Sequence, residues 1–358
     1  MKIPVSENQA EDMMVVKCVV WDLDNTLWQG VLSEGDDLRT VESAVAAIKA
    51  LDERGVLNSI ASRNDEMLAM KKIDSLGLRE YFLYPQINWG AKSEALTRIG
   101  ASLNVALDTL VLVDDDAFER AEVTASCPGI RAFAFESVEG LLRDLGVSDM
   151  RPTPEARERR KLYLGEMHRQ QAEADFSGPH QEFLKSLDME MRIWHAAADD
   201  LRRVEELVQR SNQLNSTGRL YSYRELKEIA SSATHSLLLA SLVDRFGDYG
   251  TIGVALCEKA QARWNLLLLL MSCRIMSRGV SSVMLNFLID IAVQHKAELT
   301  AVFRDTGRNQ AMFMAYKMAG FVECEGSGDE RIFLAPPNAQ PFPPYLSISY
   351  EDPSRSTN

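Results

Sequence analysis

Asp22-Leu23-Asp24-Asn25-Thr26-Leu27-Trp28 follows directly on Val15-Val16-Lys17-Cys18-Val19-Val20-Trp21. The upstream run is apolar and rich in β-branched residues, the pattern of a buried strand. The downstream run places two carboxylates at i and i+2 where such a strand leaves its sheet. Side chains alternate along an extended chain, so Asp22 and Asp24 are expected on one face. Two acidic groups in one cleft repel unless a cation sits between them or one keeps a proton. The pattern suits a Mg²⁺ site in which one carboxylate is a nucleophile and the other an acid/base. Asp, Asn and Thr are also ordinary helix-capping residues, and on this run alone that reading stays open.

Similar strand exits recur downstream. A helical pattern over residues 42–53 is broken by Gly55, and 56–61 reads as a second strand running into Ala61-Ser62-Arg63-Asn64. A further helical stretch follows Asn64, and residues 110–113 and 130–135 read as two more strands. Alternation of this kind predicts a parallel sheet with helices on both faces. Ligands of such sheets bind at the carboxyl ends of the strands. Ser62 at one of these ends suits a bond to a phosphoryl oxygen, or an ordinary helix cap. Lys92, in Trp89-Gly90-Ala91-Lys92, is expected in a loop before a helix starting near Ser93. A cation there either neutralises a phosphoryl group or simply faces water. Asp114-Asp115-Asp116, behind Val111-Leu112-Val113, would complete an oxygen-ligand Mg²⁺ site.

Together these features resemble the haloacid dehalogenase superfamily of aspartate-nucleophile phosphotransferases, over roughly the first 145 residues. The resemblance implies that Asp22 forms an aspartyl-phosphate and that Asp24 is the general acid/base. It assigns Thr26, Ser62 and Lys92 to phosphate binding, with Thr26 helping to position the loop. It assigns Mg²⁺ to Asp22, Asp24 (through its backbone carbonyl), Asp114 and Asp115. Little chain lies between Trp28 and Glu42. The expectation is a Rossmann-like domain with a minimal cap, open to something large or to another domain.

The remaining composition sets bounds. A chain of 358 residues can hold two cores, and 46% hydrophobic with 25% charged residues is ordinary for a globular protein. A net charge of −13 argues against general nucleic-acid binding and against anionic membranes. The longest apolar run, residues 266–271, is too short to span a bilayer. Five cysteines form no C-x-x-C pair and the start of the chain carries no signal-peptide pattern, so reduced thiols in cytoplasm are expected. The five histidines lack zinc-ligand spacing.

The expected domains are 1–146, a charged helical linker over 147–178, a second domain over 179–336 and a loose Pro-rich tail over 337–358. Candidate strands of the second domain are 189–194, 236–243, 251–257, 265–272 and 299–303; candidate helices are 199–210, 280–295 and 309–318. These predict an α/β or α+β domain. Ser272-Cys273-Arg274-Ile275-Met276-Ser277-Arg278-Gly279 joins a buried strand to a long helix, a junction that offers free amides to an anion. It resembles the pyrophosphate-binding loop of the GNAT acyltransferases, R-x-x-G-x-G/A, with Ser277 in place of the first Gly. A phosphate on a pantetheine arm then fits better than coenzyme A. Arg274, Arg278 and a helix N-terminus would favour a Cys273 thiolate, although a cysteine at a strand end is more often core. Cys18 lies roughly 13 Å behind the catalytic edge. Loops containing Asn212, Asn215, Asp244 and Asn309 read as a substrate pocket, or as solvated turns.

The two halves together resemble the FkbH-like family over about residues 15–335. The carriers are Lys17 to Trp28, Ala61 to Asn64, Val113 to Arg120, Gln209 to Arg219, Asp244 to Gly250, and Ser272-Cys273-Arg274 with Arg278-Gly279. The resemblance implies a glyceryl transferase/phosphatase. Such a protein takes D-1,3-bisphosphoglycerate, dephosphorylates it and loads the glyceryl group as a thioester on an acyl carrier protein for polyketide extender units. It implies Cys273 as acyl acceptor, with Asn212, Asn215, Asp244, Arg274, Arg278, Gly279 and Asn309 on the acyl/pantetheine side. An acidic carrier needs a local basic patch, for which Arg274, Arg278, Arg304 and Arg308 are candidates. Three alternatives stand beside this: a Mg²⁺ phosphatase whose second domain only recognises a partner, a coenzyme A-dependent N-acyltransferase, and a non-enzymatic scaffold.

Overall fold

Parallel strands need long crossovers, and the first half of the chain supplies a helix after nearly every strand. The computed structural model describes residues 15–150, 152–211 and 213–351. It divides into two units, Met1–Tyr163 and Leu164–Asn358. The first runs β1 (Cys18–Trp21), β2 (Trp28–Gln29), β3 (Arg39–Thr40), α1 (Glu42–Glu53), β4 (Leu57–Ser62), α2 (Glu66–Ser75), β5 (Gln86–Ile87), α3 (Lys92–Leu103), β6 (Leu110–Val113), α4 (Ala117–Ser126), β7 (Arg131–Phe133), α5 (Val138–Asp144) and α6 (Pro154–Arg157). The division falls within α7 (Arg159–Ala174).

Five strands form a parallel sheet in the order β5-β4-β1-β6-β7. From β1 the chain builds first to one side and then to the other. The order therefore reverses beside β1, where a cleft opens outside the carboxyl ends. Every residue of β1, β4 and β6 is buried, as helices on both faces demand. Trp21 and Trp28 are fully enclosed, and each indole N–H finds an acceptor: Asn58 Oδ1 at 2.9 Å and Asp24 Oδ1 at 2.7 Å. The helix expected over 42–53 forms with those bounds, while the strand expected over 130–135 shrinks to β7. Residues 29–41 hold only a two-stranded ribbon and the 3₁₀ turn Leu32–Glu34, so the cap is minimal.

The second unit continues with α8 (His180–Ser186), β8 (Met189–His195), α9 (Leu201–Arg210), α10 (Tyr223–Ala230), β9 (His235–Asp244), β10 (Gly247–Lys259), β11 (Arg263–Met271), α11 (Val280–Gln294), β12 (Glu298–Arg304), α12 (Gln310–Met318), β13 (Val322–Ser327), β14 (Glu330–Leu334) and β15 (Leu346–Glu351). Its eight strands form one mixed sheet, β13-β14-β12-β11-β10-β9-β8-β15. All the strands expected here form, within two or three residues at their ends, except β10, which starts earlier. β11 and β12 pair in parallel only from Arg263/Glu298 to Leu266/Ala301. Beyond that point the chain's own segment 214–216 enters between them. Met271 N donates to Leu214 O (2.8 Å), Ser216 N to Leu269 O (2.9 Å) and Arg304 N to Ser216 O (2.9 Å).

Two expectations are corrected. The charged helical linker expected over 147–178 is not solvent-facing throughout: Arg169 on α7 is completely buried, because its guanidinium lies 3.7 Å from the Tyr249 ring centroid and pairs with Asp244. The tail over 337–358 is not uniformly loose either, since β15 pairs in parallel with β8. Leu346, Ile348 and Tyr350 alternate along it and pack on the core. No helix among the described residues is long and apolar enough to cross a membrane.

Candidate active site

Register brings the first acidic groups together. Trp21 pairs with Val113, and each strand then extends its ladder by one residue: Asp22 N donates to Val113 O (2.9 Å) and Asp114 N to Phe133 O (3.0 Å). Asp22 and Asp114 therefore stand side by side at the carboxyl edge. Lys92, expected in a loop, is the first residue of α3. Its Nζ lies 2.9 Å from Asp22 Oδ1 and 2.5 Å from Asp114 Oδ2. All three are sealed from solvent, at 6%, 5% and 0% exposure for Asp22, Lys92 and Asp114. Asp115 joins them, with one carboxylate oxygen each from Asp22, Asp114 and Asp115 lying within 4.8 Å of one another.

Two of the three clustered carboxylates, Asp22 and Asp114, thus share one ammonium. Burial pushes the Asp22 carboxyl up to about 6; Lys92 opposes the rise and Asp114 adds to it. Burial and then Asp114 also raise Asp115. Burial by itself would lower Lys92, but Asp22 and Asp114 outweigh it and hold the ammonium above its ordinary value. A dense, all-oxygen donor set with excess negative charge fits a hard divalent cation such as Mg²⁺. It lacks the nitrogen and sulfur donors that zinc prefers.

The reasoning that put Asp22 and Asp24 on one strand face is corrected. β1 ends at Trp21, and the amides of Thr26, Leu27 and Trp28 all donate to Leu23 O, with Asn25 at φ 56°. The chain turns from Leu23 onward with Asp24 inside the turn, so strand alternation no longer applies. The Asp24 carboxylate lies outside the three-acid cluster. It accepts from Trp28 Nε1 and from Leu32 N (3.2 Å) through Oδ1, and from Asn64 Nδ2 (2.9 Å) through Oδ2. Thr26 contacts the acidic loop: its hydroxyl accepts from Asp115 N (3.2 Å) and donates to Asp115 Oδ1 (3.4 Å). Ser62 closes β4 and is buried.

Sequence reasoning gave no role to several supporting groups. Asn64 orients Asp24. Arg120 Nη1 donates to the carbonyls of Asp114 (2.7 Å) and Asp115 (2.9 Å), pinning the acidic loop. Arg63 pairs at 2.8 Å with the buried Glu119. Their signal was their place beside Ser62 and Asp114 in the quoted motifs. Large exposed apolar residues also follow the strand ends: Met67 and Leu68 in the first turn of α2, Trp89 between β5 and α3, and Phe118 in the first turn of α4.

In the second unit, Cys273 opens the 3₁₀ segment Cys273–Arg278 between β11 and α11 and is partly exposed. Ser272 Oγ accepts from Arg274 N (3.4 Å) and Nε (3.3 Å). Gly279 takes φ 70°, and a Cβ there would sit 3.1 Å from Tyr345 Oη. Other residues expected to bind the acyl or pantetheine group are committed inside the unit. Arg278 is fully buried and donates to Glu173 Oε2 (3.0 Å) and Glu166 Oε1 (3.5 Å), so it is not a surface docking group. Asp244 accepts two bonds from Arg169 (2.8 and 3.0 Å) and one from Tyr249 Oη (3.0 Å). Asn215 Oδ1 accepts from Thr217 N (3.1 Å) and Gly218 N (2.8 Å). Asn309 Nδ2 donates to Asn215 O (2.9 Å) and Arg304 O (2.8 Å), which fastens the inserted segment to β12. Asn212 lies outside the described residues. Of the expected basic patch, Arg304 and Arg308 are exposed and Arg274 is half-buried.

No family model matches the chain, and no curated protein matches it. Among solved structures it is similar to an N-terminal phosphatase-domain part of a Bacteroides fragilis protein complexed with Mg. The identity is 24% with a TM-score of 0.33, over 39% of this chain and 42% of that one. The match thus spans under half of that structure's length. It is also similar to the ribosomal-protein-S18-alanine N-acetyltransferase of Escherichia coli (17% identity, TM-score 0.33, 42% of this chain and 96% of that one). A third similar structure is the PaiA N-acetyltransferase of Thermoplasma acidophilum in complex with coenzyme A (16%, TM-score 0.32, 40% and 98%).

Proposed function

We propose that the first unit is a Mg²⁺-dependent phosphoryl-transfer enzyme with Asp22 as nucleophile. The observation that carries this reading is the gathering of Asp22, Asp114 and Asp115 at the switch point of a parallel sheet, with Lys92 paired to the first two. An Asp22 oxygen attacks phosphorus; the Asp22 O–P bond forms as the bond to the leaving oxygen breaks. Asp24 protonates that oxygen, then takes a proton from the water that cleaves the aspartyl-phosphate and releases inorganic phosphate. Lys92 offsets negative charge on Asp22 and on the entering phosphoryl group. Ser62 offers it a hydroxyl. Mg²⁺, held by Asp22, Asp114 and Asp115, would supply further charge neutralisation. The minimal cap and the exposed Met67, Trp89 and Phe118 suit a substrate larger than a free sugar phosphate.

The finer reading is a glyceryl transferase/phosphatase of the FkbH-like kind, acting on 1,3-bisphosphoglycerate and an acyl carrier protein. Cys273 sulfur attacks the acyl carbonyl; a C–S bond forms, the C–O bond to phosphate breaks, and the pantetheine thiol of the carrier then takes the glyceryl group. Asp22 removes the other phosphate. The place of Cys273 at the β11–α11 junction, partly exposed, supports it: Cys18, Cys127 and Cys257 are buried, and the exposed Cys324 lies on β13, away from that junction in the chain. One observation favours a plain phosphatase instead: Asn215, Asp244, Arg278 and Asn309 all spend their polar groups within their own unit. The deciding experiment mixes the protein with bisphosphoglycerate, Mg²⁺ and a phosphopantetheinylated carrier, then weighs every protein. A phosphoryl adduct lost in Asp22→Asn and a glyceryl carrier lost in Cys273→Ala are expected. Phosphate release without carrier acylation leaves only the phosphatase. No phosphate release from any phosphomonoester or acyl phosphate overturns both.

A further inference from the structure

A second cavity, of about 670 Å³, opens in the second unit at the far end of β11 and α11 from Cys273. Trp264 on its wall stands near the start of β11 and Cys273 just past its end, so most of that strand, roughly 23 Å of extended chain, lies between them. The cavity is therefore separate from the thiol, and its volume falls in the range of small-molecule sites. Its walls are apolar where β11, α11 and β15 face each other: Trp264, Phe287, Ile291 and Leu346.

Its polar groups are few and held in place. His195 is gripped at both ring nitrogens, Nε2 at 3.0 Å from Tyr350 Oη and Nδ1 at 3.4 Å from Ser236 Oγ. His295 Nδ1 lies 2.9 Å from Ile291 O. A carbonyl only accepts, so Nδ1 carries the hydrogen, and Nε2 of the neutral ring offers a ligand a lone pair rather than a hydrogen. The Lys259 ammonium stands 5.5 Å from the Trp264 ring centroid. Asp290 is the single carboxylate among the lining residues, and it already accepts from Gln294 Nε2 at 2.8 Å. The Lys259 ammonium is thus the cation of the lining, set beside an aromatic and aliphatic wall, while Asp290 is turned to Gln294.

We infer that this cavity binds a small organic carboxylate with an aromatic or branched apolar body. The carboxylate meets the Lys259 ammonium, and the body lies against Trp264, Phe287 and Ile291. The inference is independent of the phosphoryl-transfer reading. It is tested by saturation-transfer NMR on the full chain with phenylbutyrate and its neutral counterpart phenylbutanol. The acid is expected to bind about tenfold more tightly, the difference a charge-assisted hydrogen bond supplies. Lys259→Met should remove that preference and leave the alcohol's affinity unchanged. Ile291→Trp, which fills the cavity, should abolish both signals while circular dichroism shows a folded protein. Equal binding of acid and alcohol, no binding of either, or binding that survives Ile291→Trp overturns the inference.

Discussion

At the scale of single residues, the decisive group is Lys92. Among the described residues it is the one cation paired with both Asp22 and Asp114, all three being buried. Replacing it by Met leaves two neighbouring buried carboxylates without compensation, which costs about 3–5 kcal/mol. Thermal melts should show that loss, and excess Mg²⁺ should restore part of it; a melt unchanged by Lys92→Met would remove the electrostatic argument. Asp22 behaves in the opposite way. Its folded pKa of about 6 lies above the ordinary value of 3.8, so the native state holds its proton more tightly than the unfolded chain. Its contribution is fully present below pH 3.8 and is lost as pH rises through 6. By pH 7 the ionised group costs the metal-free protein about 3 kcal/mol. Asp22→Asn, which keeps the shape and leaves Lys92 on Asp114, should therefore raise the melting temperature in EDTA at pH 7 but not at pH 4, while abolishing phosphate release. A variant less stable than the parent at pH 7 contradicts this reading.

At the scale of elements, short turns decide where the chemistry points. The break after Trp21 turns Asp24 away from strand alternation and into the grip of Trp28, Leu32 and Asn64. The turn from α1 into β4 relies on Gly55, at φ 68° with a hypothetical Cβ only 2.6 Å from Ala156 O on α6. Gly55→Ala combines a left-handed backbone with a clash against a main-chain atom. It should cost about 1–3 kcal/mol, read by urea unfolding. An effect below a few tenths of a kcal/mol would show that α6 yields easily. In the second unit, the gap where β11 and β12 part is filled by Leu214, Asn215 and Ser216. That use of Asn215 and Asn309 could not be read from loop composition, since it depends on which two strands separate.

At the scale of the whole molecule, each unit has its own large sheet and its own hydrophobic core. The acidic cluster belongs only to the first unit. A cation that binds the native cluster stabilises by mass action, about 2.7 kcal/mol at a hundredfold excess over its dissociation constant. Calorimetry should resolve two transitions, with Mg²⁺ raising one and leaving the other in place. A uniform shift of both would contradict the assignment of the cation to Asp22, Asp114 and Asp115. The Asp114→Asn variant should lose the Mg²⁺-induced shift.

The apolar runs behind Asp22, Ser62 and Asp114 were enough to fix the parallel α/β character of the first unit, because continuous burial and strand–helix alternation are local patterns. They also located the strand exits where Asp22 and Asp114 meet. Most strands of the second unit were legible for the same reason. Three things were settled only by tertiary contact. Lys92 became a buried ion-pair partner because the first turn of α3 lies over the carboxyl edge. Arg278 and Asp244 became internal because α7 supplies Glu166, Arg169 and Glu173 to them. β15 joined the sheet because β8 offered an open edge to a short alternating segment. Charge and polarity are written in the sequence; whether a polar side chain faces solvent, a ligand or another side chain depends on what folds against it.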